Sequence, residues 1–68
     1  MKKQAWRTLT DALRDLIETS GLPLLRIERE TGVQRGSIAR FMRGETSLRL
    51  DLADRLAEYF GLEVRRKD

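Results

Sequence analysis

The chain has 68 residues, of which 37% are charged and 40% hydrophobic, and its formal net charge is +3 at pH 7. It contains no cysteine and no histidine, which excludes disulfides and thiolate metal sites and removes the commonest metal ligand and the commonest general base. The length indicates one small domain, residues 1–68, whose thin core would gain stability from association with a second copy.

Neither a signal peptide nor a membrane span is predicted. The first residues, Met1-Lys2-Lys3, are basic, but polar and charged residues follow where an apolar segment would lie. No run approaches the roughly 20 apolar residues of a membrane helix. We therefore expect a cytoplasmic protein with no membrane partner, no metal and no cofactor.

The first predicted helix covers about 8–20. Its apolar residues recur at helical spacing: Leu9, Leu13, Leu16 and Ile17. Thr8 followed by Asp11 resembles a capping box, and Gly21 is suited to the position just after the helix. Trp6 lies upstream on the same stripe and is expected to pack at the edge of the core.

The second predicted helix covers about 23–31. Pro23 suits its first position, and Gly32 suits a left-handed residue that ends it. One face is lined by Leu24, Ile27 and Thr31. This helix is followed closely by a third, so the two would be joined by a short turn that contains glycine.

The third predicted helix covers 35–43, with Gln34 in a position to cap it and Gly44 closing it. Its apolar side chains share one face: Ile38, Phe41 and Met42. Arg40, Arg43 and Gly36 point the other way, with Ser37 on the flank. A helix this short is not stable alone, so its apolar face must be packed and its arginines must face outward.

The remainder of the chain is predicted to be a loop at 45–49, a fourth helix at 50–60 and a basic tail at 65–68. Leu48 is expected to anchor the loop in the core, and Gly61 ends the helix. Residues 62–64 alternate in the manner of a short strand. The fold expected is therefore all-α, compact, with four to five helices and room for a short C-terminal strand.

Positive charge is concentrated in the third helix and the loop after it. Residues 33–49 carry four arginines against a single acid, Glu45, whereas 8–20 and 50–60 each have an excess of acids. Arginine suits bidentate binding of phosphate or guanine. Arginines near the start of a helix and glycine inside it are unfavourable for an isolated helix, but they suit a helix that lies against a polyanion.

Two short helices joined by a tight turn, the second basic on its outer face, describe a helix-turn-helix unit at about 23–44. The stretch LLRIERETGVQRGSIARFMRGETSL resembles the lambda-repressor-like family, the Cro and XRE group of bacterial and phage regulators. The resemblance extends from about Leu9 to Leu62. It rests on these core and turn positions: Ile27, Gly32, Val33, Ile38, Phe41 and Gly44.

The resemblance implies a role for individual residues of the third helix and the loop. Positions from which the family reads bases are Gln34, Arg35, Gly36 and Arg40. Positions that hold phosphate in the family are Ser37, Arg43, Thr46 and Ser47. Two positions depart from the family pattern: Leu24 stands where glutamine is frequent, and Glu28 stands where a small alanine is favoured. Glu28 would have to reach solvent or pair with Arg29 or Arg35, and pairing with Arg35 would weaken base reading.

Double-stranded DNA is therefore the expected partner, bound by a small transcriptional regulator, expected to be a repressor. The alternative is an antitoxin or adaptor that acts mainly by binding a toxin or another protein. No enzyme is expected, because the acids are spread at spacings typical of surface pairs and no phosphate loop or metal motif is present. A homodimer is expected on DNA, with Tyr59, Leu62 and Val64 as candidate contact residues, unless Leu62 and Val64 fold back onto their own domain.

Overall fold

The computed structural model describes residues 6–66, and this part of the chain contains four α-helices. They are α1 (Leu9–Ser20), α2 (Leu24–Thr31), α3 (Arg35–Met42) and α4 (Leu50–Tyr59). The predicted all-α class and the four helices are confirmed. Residues 62–66 contain no strand, so the short strand considered at 62–64 is not formed; the last two residues of the basic tail lie outside the described residues.

The helix boundaries follow from local chemistry and differ from the predicted ones by at most one residue. Thr8 is the N-cap of α1, and its side-chain oxygen accepts a hydrogen bond from the Asp11 backbone N–H at 3.1 Å. Pro23 is the N-cap of α2 and not its first helical residue, one position from the prediction. Gln34 is the N-cap of α3, but its side chain forms no capping hydrogen bond, so the prediction that it caps the helix is confirmed only for its position. Arg43 follows the last residue of α3 as its C-cap.

The turn between α2 and α3 depends on Gly32. Its φ of +81° lies in the left-handed region, which side chains other than glycine rarely adopt. Its backbone N–H donates to the Glu28 carbonyl at 2.8 Å, which completes the end of α2. Val33 then enters the core with no exposed surface. Only three residues, 32–34, separate α2 from α3.

The core is formed by all four helices and the turn. Its buried residues are Leu13, Ile17, Ile27, Val33, Ile38, Phe41, Ala53, Leu56 and Ala57. α2 packs against α3, and α4 packs against α1 and α2. Leu48 packs against this core as predicted, and so does Leu62. The packing holds α3 by its apolar side and leaves its opposite side at the surface.

Candidate nucleic-acid interface

The two faces of α3 differ sharply in exposure. Ile38 and Phe41 retain 0% and 2% of their accessible surface, whereas Arg35, Gly36 and Arg40 are exposed. The predicted base-reading residues therefore lie together on one outward face, with Gln34 exposed just before the first turn. A rigid helix with a basic outer face has the form of an element that enters the major groove.

Arg35 retains a free edge on its guanidinium. Its Nη1 contacts Glu28 Oε1 at 3.5 Å, and its backbone N–H donates to the same oxygen at 3.4 Å. Within residues 6–66 neither Nε nor Nη2 of Arg35 forms a hydrogen bond or ion pair. The two donors that would bind guanine O6 and N7 therefore stay available. Of the two arginines that the sequence offers as partners for Glu28, it is Arg35 that forms the pair.

Arg40 forms no ion pair within the described residues. Its Nη1 lies 3.6 Å from the point where a Cβ on Gly36 would stand, so the side chain folds back over the exposed side of that glycine. The guanidinium of Arg40 is therefore close to Gly36 at the surface, near the middle of the outward face.

Arg43 and Arg49 have their guanidinium edges occupied by carboxylates of their own chain. Nε and Nη2 of Arg43 contact the two oxygens of Glu45 at 2.8 and 3.2 Å, and Arg49 contacts Asp51 in the same way at 3.3 and 3.0 Å. The guanidinium of Arg43 lowers the pKa of Glu45, and Arg49 lowers that of Asp51. Both carboxylates therefore stay ionised throughout the neutral range and compete with phosphate for these arginines.

A shallow cleft of about 240 Å³ gathers most of the predicted phosphate-binding residues beside α3. It is lined by Ser37, Arg40, Thr46, Ser47, Leu48, Arg49 and Leu52. Arg43 does not line it. The cleft brings three hydroxyl side chains together beside Arg40 and Arg49, and hydroxyl groups are donors suited to an anionic oxygen.

Sequence reasoning missed two residues that shape this face. Arg49 was counted with the basic charge of 33–49 but given no binding role, although it lines the cleft. Arg14 of α1 places its guanidinium 4.9 Å from the centre of the Phe41 ring and donates from Nη2 to the Phe41 carbonyl at 3.0 Å. A cation at the C-terminal end of a helix is favourable, so Arg14 holds α3 from behind. The only sequence signal for this role of Arg14 is that it is the single basic residue among the acidic residues of 8–20.

The candidate dimer residues occupy three different settings. Tyr59 is half-buried, and its hydroxyl donates to Glu30 of α2. Leu62 packs on its own core, and its N–H donates to the Ala57 carbonyl at 2.8 Å. Val64 is 78% exposed and lines a groove with Trp6, so of the three it alone presents an open apolar surface.

Comparison with known proteins agrees with this geometry. The model of a family described as helix-turn-helix matches residues 13–66, which include α2, α3, α4 and most of α1. Searches of curated proteins and of solved structures return no match. Among the described residues no helix is long and apolar enough to cross a membrane. The match, together with the outward basic face of α3, shows that the chain belongs to the lambda repressor, Cro and XRE type of helix-turn-helix family, whose members are DNA-binding regulators.

Proposed function

We propose that this chain is a sequence-specific repressor that lays α3 in the major groove of double-stranded DNA. The observation that carries the proposal is the state of the arginines on one face. Arg35 and Arg40 retain free donor edges on the outward side of α3, whereas Arg43 and Arg49 are held by carboxylates at its end and in the following loop.

We assign these arginines to bases or to phosphate according to which of their N–H donors are free. A bidentate contact with guanine needs two adjacent donors on one guanidinium. Arg35 and Arg40 can supply them without breaking an existing bidentate pair, so we assign them to base reading. Arg43 must give up Glu45 before its Nε–Nη2 edge can bind DNA, and a phosphate is the ligand that offers comparable charge and geometry in exchange.

The hydroxyl-lined cleft would hold a backbone phosphate next to the groove. Ser37 lies at the edge of α3, and Thr46 with Ser47 lies in the loop before α4. Contacts of this kind fix the register of a protein on the duplex but carry little sequence information. In this arrangement the cleft positions α3, and the two free arginines read the bases.

Selection of duplexes from a random library tests the proposal. We expect a defined motif to be enriched, with binding that weakens as salt increases, at a slope of about −0.9 in log K for each phosphate neutralised. Failure to enrich any motif, or binding that is insensitive to salt, would contradict it.

Three alanine variants then test the assignment of roles. Arg35→Ala and Arg40→Ala should each relax the preference at one base pair, at a cost of roughly 1–3 kcal/mol. Arg43→Ala should weaken binding to all sequences about equally and reduce the salt slope by about one. Titration of selected and scrambled duplexes measures both effects, and an exchange of the two patterns would show that the register of α3 in the groove is wrong.

A further inference from the structure

The carboxylate of Glu28 lies at the start of α3 although Glu28 belongs to α2. It is half-buried and contacts two donors of a single residue, the backbone N–H and the Nη1 of Arg35, at 3.4 and 3.5 Å. The first contact satisfies one of the backbone donors left free at a helix N-terminus, where Gln34 supplies no side-chain cap. A negative charge is also favourable at that end of a helix.

We propose that Glu28 is a positioning residue that orients the guanidinium of Arg35 toward guanine, and this role rests on the proposed DNA-binding function. Both contacts converge on one oxygen, so the backbone and the far end of the Arg35 side chain are tied to the same point. An arginine side chain has many rotamers in water. Tying one terminal nitrogen restricts the directions in which the other donors can point.

The contrast with Arg43 shows why this pair does not simply block Arg35. Glu45 occupies the Nε and Nη2 of Arg43 in a bidentate pair with a shortest distance of 2.8 Å. Glu28 occupies only Nη1 of Arg35, at a longer distance, and within residues 6–66 the Nε and Nη2 donors are not engaged. The single contact with Glu28 leaves two adjacent donors of Arg35 available to a base, whereas the bidentate pair with Glu45 occupies the two adjacent donors of Arg43.

The second oxygen of Glu28 also matters for the identity of the ligand. Within the described residues only Oε1 is engaged, and a carboxylate beside the groove repels phosphate while it accepts hydrogen bonds from amino groups. This arrangement disfavours a phosphate at Arg35 and favours a base edge. Glu28 would therefore contribute to specificity rather than to overall affinity.

Substitution of Glu28 by alanine tests the role directly, with Glu30→Ala as the matched control. Both residues lie on α2 and both pair with an arginine, but Glu30 contacts Arg26 and Tyr59 instead of α3. In duplexes that differ only at the base pair read by Arg35, we expect Glu28→Ala to reduce the preference about 3- to 10-fold, part of the discrimination that a bidentate pair provides. Glu30→Ala should leave that preference unchanged.

A double-mutant cycle separates positioning from a general effect on folding. In the Arg35→Ala background, Glu28→Ala should have no further effect on base preference, because there is no guanidinium left to orient. Glu28→Gln keeps the side-chain size and one acceptor oxygen, so it should retain a larger share of the preference than Glu28→Ala does. Thermal unfolding of each variant reports folding independently.

The possible failures are distinguishable. A wild-type chain that selects no duplex would overturn the proposed function and the role of Glu28 together. If the wild-type chain selects a motif but Glu28→Ala tightens binding to every duplex with its preference intact, Glu28 is only a competitor for Arg35 and the inference is wrong. An equal loss of preference in the Arg35→Ala background would overturn it as well.

Discussion

At the scale of single residues, the carboxylates beside the arginines determine how much of the positive charge DNA can use. Arg43 and Glu45 are both largely exposed, at 58% and 50%, so water screens their attraction and the pair contributes little to folding. If Arg43 binds phosphate as proposed, we expect the pair to have a larger effect on binding, because a phosphate would have to displace Glu45 before it could contact the Nε–Nη2 edge of Arg43. We therefore expect the Arg43–Glu45 pair to weaken binding to DNA of any sequence.

Glu45→Gln should therefore tighten binding to unrelated duplexes, because the carboxylate that competes with phosphate is removed. Asp54→Asn changes the net charge by the same amount on an exposed residue of α4 that forms no ion pair in the described structure, and it serves as the control. Titration of a scrambled duplex at several salt concentrations measures the effect. Equal tightening by both variants would mean that net charge alone, and not release of Arg43, is responsible.

At the scale of helices and turns, two glycines of the helix-turn-helix unit differ in whether the backbone requires glycine at their position. Gly32 has a φ of +81°, and a Cβ there would also meet the Arg55 Nη1 at 3.2 Å. Gly36 lies inside α3 with ordinary helical geometry, and a Cβ there would meet only the Arg40 Nη1 at 3.6 Å. The first glycine is required by the backbone, and the second is not.

Gly32→Ala should destabilise the fold by about 1–2 kcal/mol, the cost of a left-handed conformation for alanine. Gly36→Ala should stabilise it by about 0.5–1 kcal/mol, because alanine favours the helix. Urea unfolding of both variants measures the two changes. If close approach to the duplex requires Gly36, Gly36→Ala should also bind DNA more weakly despite its higher stability, whereas unchanged binding would contradict that requirement.

The helices were predictable from the sequence because their signals are local. The spacing of apolar residues and the glycines at helix ends indicate where each element lies, and the basic face of α3 follows from the position of Ile38 and Phe41. The partners of the arginines were harder to predict from the sequence. The bidentate edges that Glu45 and Asp51 occupy depend on rotamers, and the contact of Arg14 with Phe41 joins α1 to α3 across 27 positions of the chain.

At the scale of the whole molecule, a hydrogen bond from the Tyr59 hydroxyl to Glu30 links α4 to α2. That bond raises the pKa of Tyr59, and together with the neighbouring Arg26 it lowers the pKa of Glu30. A lowered carboxyl pKa gives stability that is present above the ordinary value and lost as pH falls through the folded one. A raised tyrosine pKa gives stability that is present below its ordinary value, about 10, and lost as pH rises through the folded one.

Tyr59→Phe should therefore reduce stability most at neutral pH, where the hydroxyl is protonated and the carboxylate is charged. The difference from wild type should shrink in strong acid and again in strong alkali. Urea midpoints measured from pH 3 to 11 test this, and the deficit of Glu30→Gln relative to wild type should likewise be present at neutral pH and shrink as the pH falls. A difference between wild type and Tyr59→Phe that is constant across pH would contradict the coupling.

Assembly on DNA also concerns the whole molecule, and the dimensions of the fold are compatible with the homodimer that we expect. The described chain measures 35 × 26 × 23 Å, so two copies fit side by side on half-sites about 34–36 Å apart, one turn of the duplex. One short α3 reads only a few base pairs, and a second copy would double the sequence that is read.

Val64 is the residue through which we expect the two copies to meet. It is 78% exposed and lines a groove with Trp6, whereas Leu62 packs on its own core and the Tyr59 hydroxyl donates to Glu30 of α2. Val64→Asp should lower affinity for a duplex with two half-sites to the level of a single half-site, because a charge in the contact prevents burial. Leu25→Asp places the same charge on an exposed leucine of α2 and should leave cooperative binding intact. Sedimentation and footprinting measure the outcome, and a chain that stays monomeric and protects a single non-palindromic site would show that it acts alone.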